Sequence, residues 1–179
     1  MRIENTRELP CSQQQAWDAL NSEAVLQACI PGCESLVRSE PDRLQVMVMA
    51  ALGPVRARFK AQLQLLDLNA PNSYRVVFDG QGGVAGFGKG AAVVRLTSID
   101  ATHCSMSYEV DVQIGGKLAQ IGSRVVDAAA QKIIGEFFER FEAQLQPAAA
   151  SEQALERPAP QSLWQRLLAW LLRRRIAST

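Results

Sequence analysis

The chain has 179 residues, 47% hydrophobic and 21% charged, with a net charge of +1, enough for one domain with a core plus a tail. Four Arg and no acid fall within residues 161–179, leaving 15 basic against 18 acidic residues elsewhere. A slightly acidic body argues against nucleic acid as the main partner, because phosphate binding needs a basic face.

The opening "MRIENTREL" lacks the apolar run of a signal peptide, and Arg2–Leu9 reads as a first strand. Ser12 is a fitting N-cap for a short helix carrying Ala16, Trp17 and Leu20, with Gln15 placed to close a capping box. A second short helix near Glu23–Gln27 stops before "CIPGC", where Pro31-Gly32 cannot continue it. Strand-like runs follow at Leu44–Ala51, Arg56–Leu65, Tyr74–Phe78, Phe87–Leu96 and His103–Ile114, separated by turn-forming segments. Period-two alternation is clearest in two of them. Ala57, Phe59, Ala61, Leu63 and Leu65 face one way in the second run, opposite Arg56, Arg58 and Lys60. Cys104, Met106, Tyr108, Val110, Val112 and Ile114 share a face in the last run, opposite His103, Glu109 and Asp111. That pattern is the habit of an antiparallel sheet with one packed face.

A long helix is then expected over Lys117–Leu145. Its first half places Leu118, Ile121 and Val125 on one stripe, and its second half Ile134, Phe137, Phe138, Phe141 and Leu145 on another. The two stripes do not coincide, and Gly122 and Gly135 suggest close packing or a bend. "PAAASEQALERPAPQ", residues 147–161, reads as a linker. The expected domains are therefore 1–146, a linker 147–161 and a tail 162–179. The fold class is α+β, a curved antiparallel sheet of about seven strands wrapped around a long C-terminal helix. Such a sheet leaves a cavity where helix and strands diverge, which suits binding.

Chemistry-bearing constellations are sparse. Cys11, Cys29, Cys33 and Cys104 form no C-x-x-C pair, and Cys29-x-x-x-Cys33 has no second pair to complete a zinc site. They read as structural thiols of a protein kept in a reducing cytoplasm. His103 falls on the wet side of its strand, Glu109 and Asp111 read as a solvated pair, and inward positions supply no general acid or base. "GQGGVAGFGKG" feeds a strand and not a helix N-terminus, so a hairpin at a pocket mouth fits it better than a phosphate loop. Lys89, on the outward side, suits a partner surface.

"CIPGCESL" (Cys29–Leu36), "GPVRARF" (Gly53–Phe59), "GFGKGAAVVRL" (Gly86–Leu96) and the segment from Tyr108 to Phe141 resemble the G-subunit family of carbon monoxide dehydrogenase. That family belongs to the helix-grip, polyketide-cyclase/START-like superfamily, and the resemblance covers roughly residues 2–145. It implies a non-enzymatic accessory protein for a molybdenum hydroxylase of the carbon monoxide/xanthine dehydrogenase type. It also implies a hydrophobic ligand, a quinone or other lipid-like molecule, in the cavity, with no cofactor required. An assembly factor for the dehydrogenase is the alternative, and a cyclase- or hydrolase-type enzyme a third reading. Candidates for the cavity lining are Pro31, Phe59, Leu63, Tyr74, Phe78, Phe87, Met106, Tyr108, Leu118, Ile121 and Val125. Pro31-Gly32, Gly115-Gly116 and Lys117 fit either a fold-making turn or a ligand contact.

The tail "SLWQRLLAWLLRRR" is amphipathic as a helix. Leu163, Trp164, Leu167, Leu168, Trp170, Leu171 and Leu172 fill one arc, opposite Gln165, Arg166, Ala169 and Arg173, while Arg174 and Arg175 close its end. Its length of roughly 22 Å falls short of a hydrocarbon core about 30 Å thick. Lying in the interface suits Trp and cationic ends. The expected location is the inner membrane face, with the protein cytoplasmic and peripheral. Docking on the tail's own sheet or in a partner's groove are the competing readings.

Overall fold

A computed structural model describes residues 1–145. In chain order they form β1 (Arg2–Leu9), α1 (Gln13–Leu20), α2 (Glu23–Cys29), β2 (Cys33–Glu40), β3 (Arg43–Leu52), β4 (Val55–Asn69), β5 (Ser73–Gln81), β6 (Phe87–Ser98), β7 (Cys104–Gly115), α3 (Lys117–Gln120) and α4 (Ser123–Leu145). A 3-10 turn, Gly83–Ala85, joins β5 to β6. Among the described residues the strands make one seven-stranded sheet in the order β1-β7-β6-β5-β4-β3-β2. Every neighbouring pair is antiparallel. Six strands therefore follow one another by hairpins, while β1 is carried by α1 and α2 to the far edge beside β7.

Alternation decides which side of the sheet is packed. Register pairs Leu63 with Phe78, Val76 with Ala92 and Ala92 with Val110, so these residues share the concave face. Arg56, Arg58 and Lys60 project from the exposed convex face. Arg58 there holds Glu34 through two bonds, Nε at 2.6 Å and Nη2 at 3.0 Å. Such an exposed pair adds little stability. His103 sits in the turn before β7 beside Asp100, and Glu109 pairs with Arg2 at the surface. Thr102 N–H donates to Asp100, as do the Thr102 hydroxyl and His103 N–H. Those bonds, the Thr102 amide first, hold the carboxyl down at about 2.

The helices close over the concave face. Ser12 accepts from the Gln15 amide, and the Gln15 side chain accepts from Ser12 N–H at 3.0 Å, completing the expected capping box. This fixes α1 so that Ala16, Trp17 and Leu20 are buried. Helix α2 extends two residues beyond the expected Gln27 and ends at Cys29. Gly32 then turns the chain with φ +72°, and a Cβ there would fall 2.2 Å from the Met49 carbonyl oxygen. The Pro31-Gly32 turn is thus required by the close approach of β3.

Two expectations need correction. The helix expected over Lys117–Leu145 is not continuous: it breaks at Ile121-Gly122, where Gly122 takes φ +92°. The break resets the helical phase, so Val126 is buried and Val125 is exposed. This is why the two apolar stripes do not coincide. Strand β2 is not among the runs that alternation picks out. Bulges between Cys33 and Ser35 and between Arg38 and Glu40 interrupt its period, and Leu36 is its one buried residue.

The main core gathers Leu9, Cys29, Cys104 and Phe141, all essentially inaccessible, around Trp17, Leu96, Met106 and Phe138. All four cysteines are free, and Cys33 alone of them is not buried. Burial raises the Cys11, Cys29 and Cys104 thiols. Cys104 is pushed up to about 12, first by burial and then by neighbouring Cys11, so these thiols stay protonated and unreactive at neutral pH. The expected linker 147–161 and the expected tail helix 162–179, with every residue named above as a membrane-contact candidate, lie outside the described residues.

Candidate ligand cavity

Between the concave face, α2 and the C-terminal half of α4 the structure leaves a cavity of about 280 Å³. The sheet contributes Tyr74, Ala92, Val94, Met106, Tyr108 and Val110. Helix α4 contributes Ile133, Ile134, Phe137 and Phe138, and α1, α2 and the following turn add Leu20, Leu26, Ile30 and Pro31. The lining contains no carboxylate, imidazole or amine, and its one sulfur is the Met106 thioether. Its volume is close to the lower end of small-molecule sites, which are mostly apolar with few polar groups. Larger depressions of about 700 and 390 Å³ lie along the sheet, but charged residues line them: Arg75, Asp79, Lys89 and Asp111 in one, Glu40, Arg43 and Asp79 in the other. Their chemistry does not suit an apolar ligand.

Local structure positions each wall. Alternation on β5, β6 and β7 turns Tyr74, Val94 and Tyr108 inward together. Trp17 meets Tyr74 edge-on at 5.6 Å, and Phe138 stacks on Tyr108 at 5.5 Å. Burial raises the Tyr74 phenol above its usual range, so it remains a neutral donor at any physiological pH. Arg7 of β1 lies over the Phe138 ring, 4.6 Å from its centroid. Its Nη1 reaches Glu142 at 3.5 Å. Arg7 Nε is buried without a partner among the described residues.

Of the eleven residues expected to line the cavity, the structure brings four there: Pro31, Tyr74, Met106 and Tyr108. The other seven fall elsewhere, each for a local reason. Phe59 covers Gly82, and Phe87 points to the convex side over its register partner Gly115. Leu63 and Phe78 pair with each other further along the concave face. Leu118 is buried outside the main core. Val125 packs against the β3–β4 turn, its Cγ1 standing 2.6 Å from where a Cβ on Gly53 would lie, with Ile121 Cδ1 at 4.0 Å. Lys89 is exposed on the convex side, as expected, near the Phe87 ring.

Sequence reasoning misses the contribution of α1, α2 and the residue that follows α2: Leu20, Leu26 and Ile30 are not among the expected lining residues. Ile134, Phe137 and Phe138 belong to the apolar stripe expected for the second half of the helix but are not among the expected lining residues. Ala92 and Val94 carry the available signal, since they alternate in phase on the strand beside Tyr108.

Among the described residues no group of three or more metal-ligating side chains gathers. No described helix is long and apolar enough to cross a membrane.

Comparison with known proteins agrees with this architecture. A family model described as the carbon monoxide dehydrogenase G subunit (CoxG) matches residues 7–146. No curated protein matches the chain by sequence. Among solved structures, a conserved protein from Geobacillus kaustophilus superposes with a TM-score of 0.78 at 26% identity, covering 83% of this chain and 97% of that one. The ZhuI aromatase/cyclase from Streptomyces sp. R1128 gives 0.63 at 10% identity, covering 84% and 97% of the two chains. A START superfamily protein from Mycobacterium smegmatis gives 0.63 at 12% identity, covering 80% and 96%. The last two share the fold alone, the helix-grip arrangement of a curved antiparallel sheet around a long helix.

Proposed function

Because the chain belongs to the CoxG family of carbon monoxide dehydrogenase, we propose that it is a non-enzymatic accessory protein of a molybdenum hydroxylase. In this reading the body binds a hydrophobic ligand, a quinone or similar lipid-like molecule, in the cavity between sheet and α4. The tail holds the assembly at the inner face of the membrane.

One observation carries the ligand-binding part: a cavity walled by twelve hydrocarbon or thioether side chains and two tyrosines. An apolar guest gains from leaving water there by roughly 25 cal/mol per Å² of surface buried. Catalysis of acyl or proton transfer would require an acid, base or nucleophile beside the guest, and the lining supplies none except two phenols. This favours a carrier over the cyclase chemistry named for one fold relative.

The accessory role has its own test. Affinity capture of the full-length chain from its own cells is expected to bring down the large, medium and small subunits of a molybdenum hydroxylase, identified by peptide mass spectrometry. Capture of the chain free of any such subunit, before and after mild crosslinking, would remove the adaptor role and the assembly-factor role together.

A further inference from the structure

Among the described residues the sheet has two free edges, β2 and β1. The β2 edge is blunted: bulges interrupt it between Cys33 and Ser35 and between Arg38 and Glu40, and the Glu23 carboxylate accepts from Arg38 N–H at 3.1 Å. The β1 edge has no such protection. Its register against β7 runs unbroken from Arg2 to Leu9, with neither bulge nor proline. Val112 N–H donates to the Met1 carbonyl at 2.8 Å. In an antiparallel pair this sets the odd-numbered residues of β1 to bond β7, while the even-numbered ones aim N–H and C=O outward. These are Arg2, Glu4, Thr6 and Glu8, all exposed and all on the convex side. Among the described residues one of their outward main-chain groups has a hydrogen-bond partner: Thr6 N–H donates to Asn5 Oδ1 at 2.8 Å.

The charges along this edge are complementary to themselves. Two copies of β1 can run antiparallel about a two-fold axis with even-numbered residues opposite even-numbered ones, which keeps both convex faces on one side. With the axis at Asn5, Arg2 of each copy lies opposite Glu8 of the other, and Glu4 lies opposite Thr6. An axis at Glu4 would set the two Glu4 carboxylates against each other, and one at Thr6 would set Glu4 against Glu8 twice. Opposite charges across a strand pair stabilise it and like charges destabilise it, so the Asn5 axis is the favoured register. Glu8 has no ion-pair partner among the described residues. Arg2 already meets Glu4 and Glu109, and a guanidinium has donors enough for a further carboxylate. We propose that β1 is the interface of a homodimer, in which two copies join through this edge into one continuous sheet. About eight main-chain hydrogen bonds form across the axis, and the Thr6–Asn5 bond is given up. The crossed Arg2–Glu8 pairs fix the register. No residue of β1 lines the apolar cavity, so each copy keeps its own.

Sedimentation velocity of the full-length chain tests this at concentrations up to about 100 µM, where the wild type is expected to be largely dimeric. Glu8→Arg or Arg2→Glu alone sets like charges opposite one another at both ends of the interface. Each should weaken the dimer by at least about 10-fold. An equimolar mixture of these two variants restores opposite charges at both crossed positions. It should form a heterodimer within about 3-fold of the wild-type affinity. Thr6→Pro removes an outward N–H that β7 does not use. It should weaken the dimer by about 10-fold or more and leave the far-ultraviolet dichroism unchanged. If that variant fails to fold, the two charge variants decide alone. A wild type that stays monomeric overturns the inference. A dimer that none of the variants weakens overturns it too, since the contact then lies elsewhere. So do charge variants that each weaken the dimer but do not recover on mixing. None of these outcomes bears on what the cavity holds.

Discussion

Replacing Phe141 by Ala is expected to lower the unfolding free energy by about 3–5 kcal/mol, the usual range for a large aromatic removed from a packed core. Phe141 has no exposed surface. Its ring stacks with that of Phe137 at 5.6 Å, and Phe137 in turn meets Phe138 edge-on at 5.3 Å. The same three aromatics hold the C-terminal half of α4 against the sheet, and two of them, Phe137 and Phe138, build one wall of the cavity. Truncation leaves a void that a sheet and a helix fixed on both sides cannot collapse to fill. For a domain near this size the melting temperature should fall on the order of 10 °C. Val84→Ala is the matched control. Val84 is 86% exposed, so its truncation should change stability by no more than about 0.5 kcal/mol. Urea unfolding of both variants checks the pair, and a loss below about 1 kcal/mol for Phe141→Ala would contradict the packing described.

The second large effect concerns the tail. Half-burial of its seven apolar side chains grosses on the order of 5–10 kcal/mol, and each of its four arginines adds about 1 kcal/mol near anionic lipid. Ordering the segment offsets part of this. The surplus supports reversible attachment to a surface. Full-length protein is therefore expected to sediment with vesicles containing phosphatidylglycerol, and a chain ending at Gln161 to stay in solution. Replacing Arg166, Arg173, Arg174 and Arg175 together by Ala should weaken binding on the order of 10²- to 10³-fold. Raised salt should reduce the full-length binding as well, because the arginine contribution is screened. Equal sedimentation of full-length and truncated chains, or of neither, would contradict a membrane role for the tail.

How much of the fold is legible in the sequence depends on the physics of each element. Strands β1, β4 and β7 announce themselves, and in β4 one face is wet and the other packed, so Arg56-Ala57-Arg58-Phe59 is unambiguous. Strand β2 does not, since bulges at both ends break its period and its edge position leaves most side chains exposed. The Ser12–Gln15 capping box is legible because both partners lie within four residues. The break at Gly122 is half-legible: the mismatch of stripes marks the region, but only the backbone shows that the phase restarts there.

The cavity is less legible than the fold. Inward direction can be assigned from alternation, which places Tyr74, Met106 and Tyr108 correctly. Distance along the sheet cannot, because curvature and the path of α4 decide which inward residues meet a helix. Phe59, Leu63 and Phe78 point inward yet fall outside the cavity lining. Leu20, Leu26 and Ile30 reach the cavity from two short helices and the turn after them, whose docking no local pattern encodes. Phe87 goes astray for a different reason, since register sets it on the convex face beside Lys89.

A hydrophobic guest in the cavity is the central claim, and organic-solvent extraction of full-length protein purified from its own cells, followed by mass spectrometry, tests it directly. The expected result is one hydrophobic, lipid-like molecule such as a prenyl quinone, at close to one per chain. An extract with no such molecule above background would contradict it.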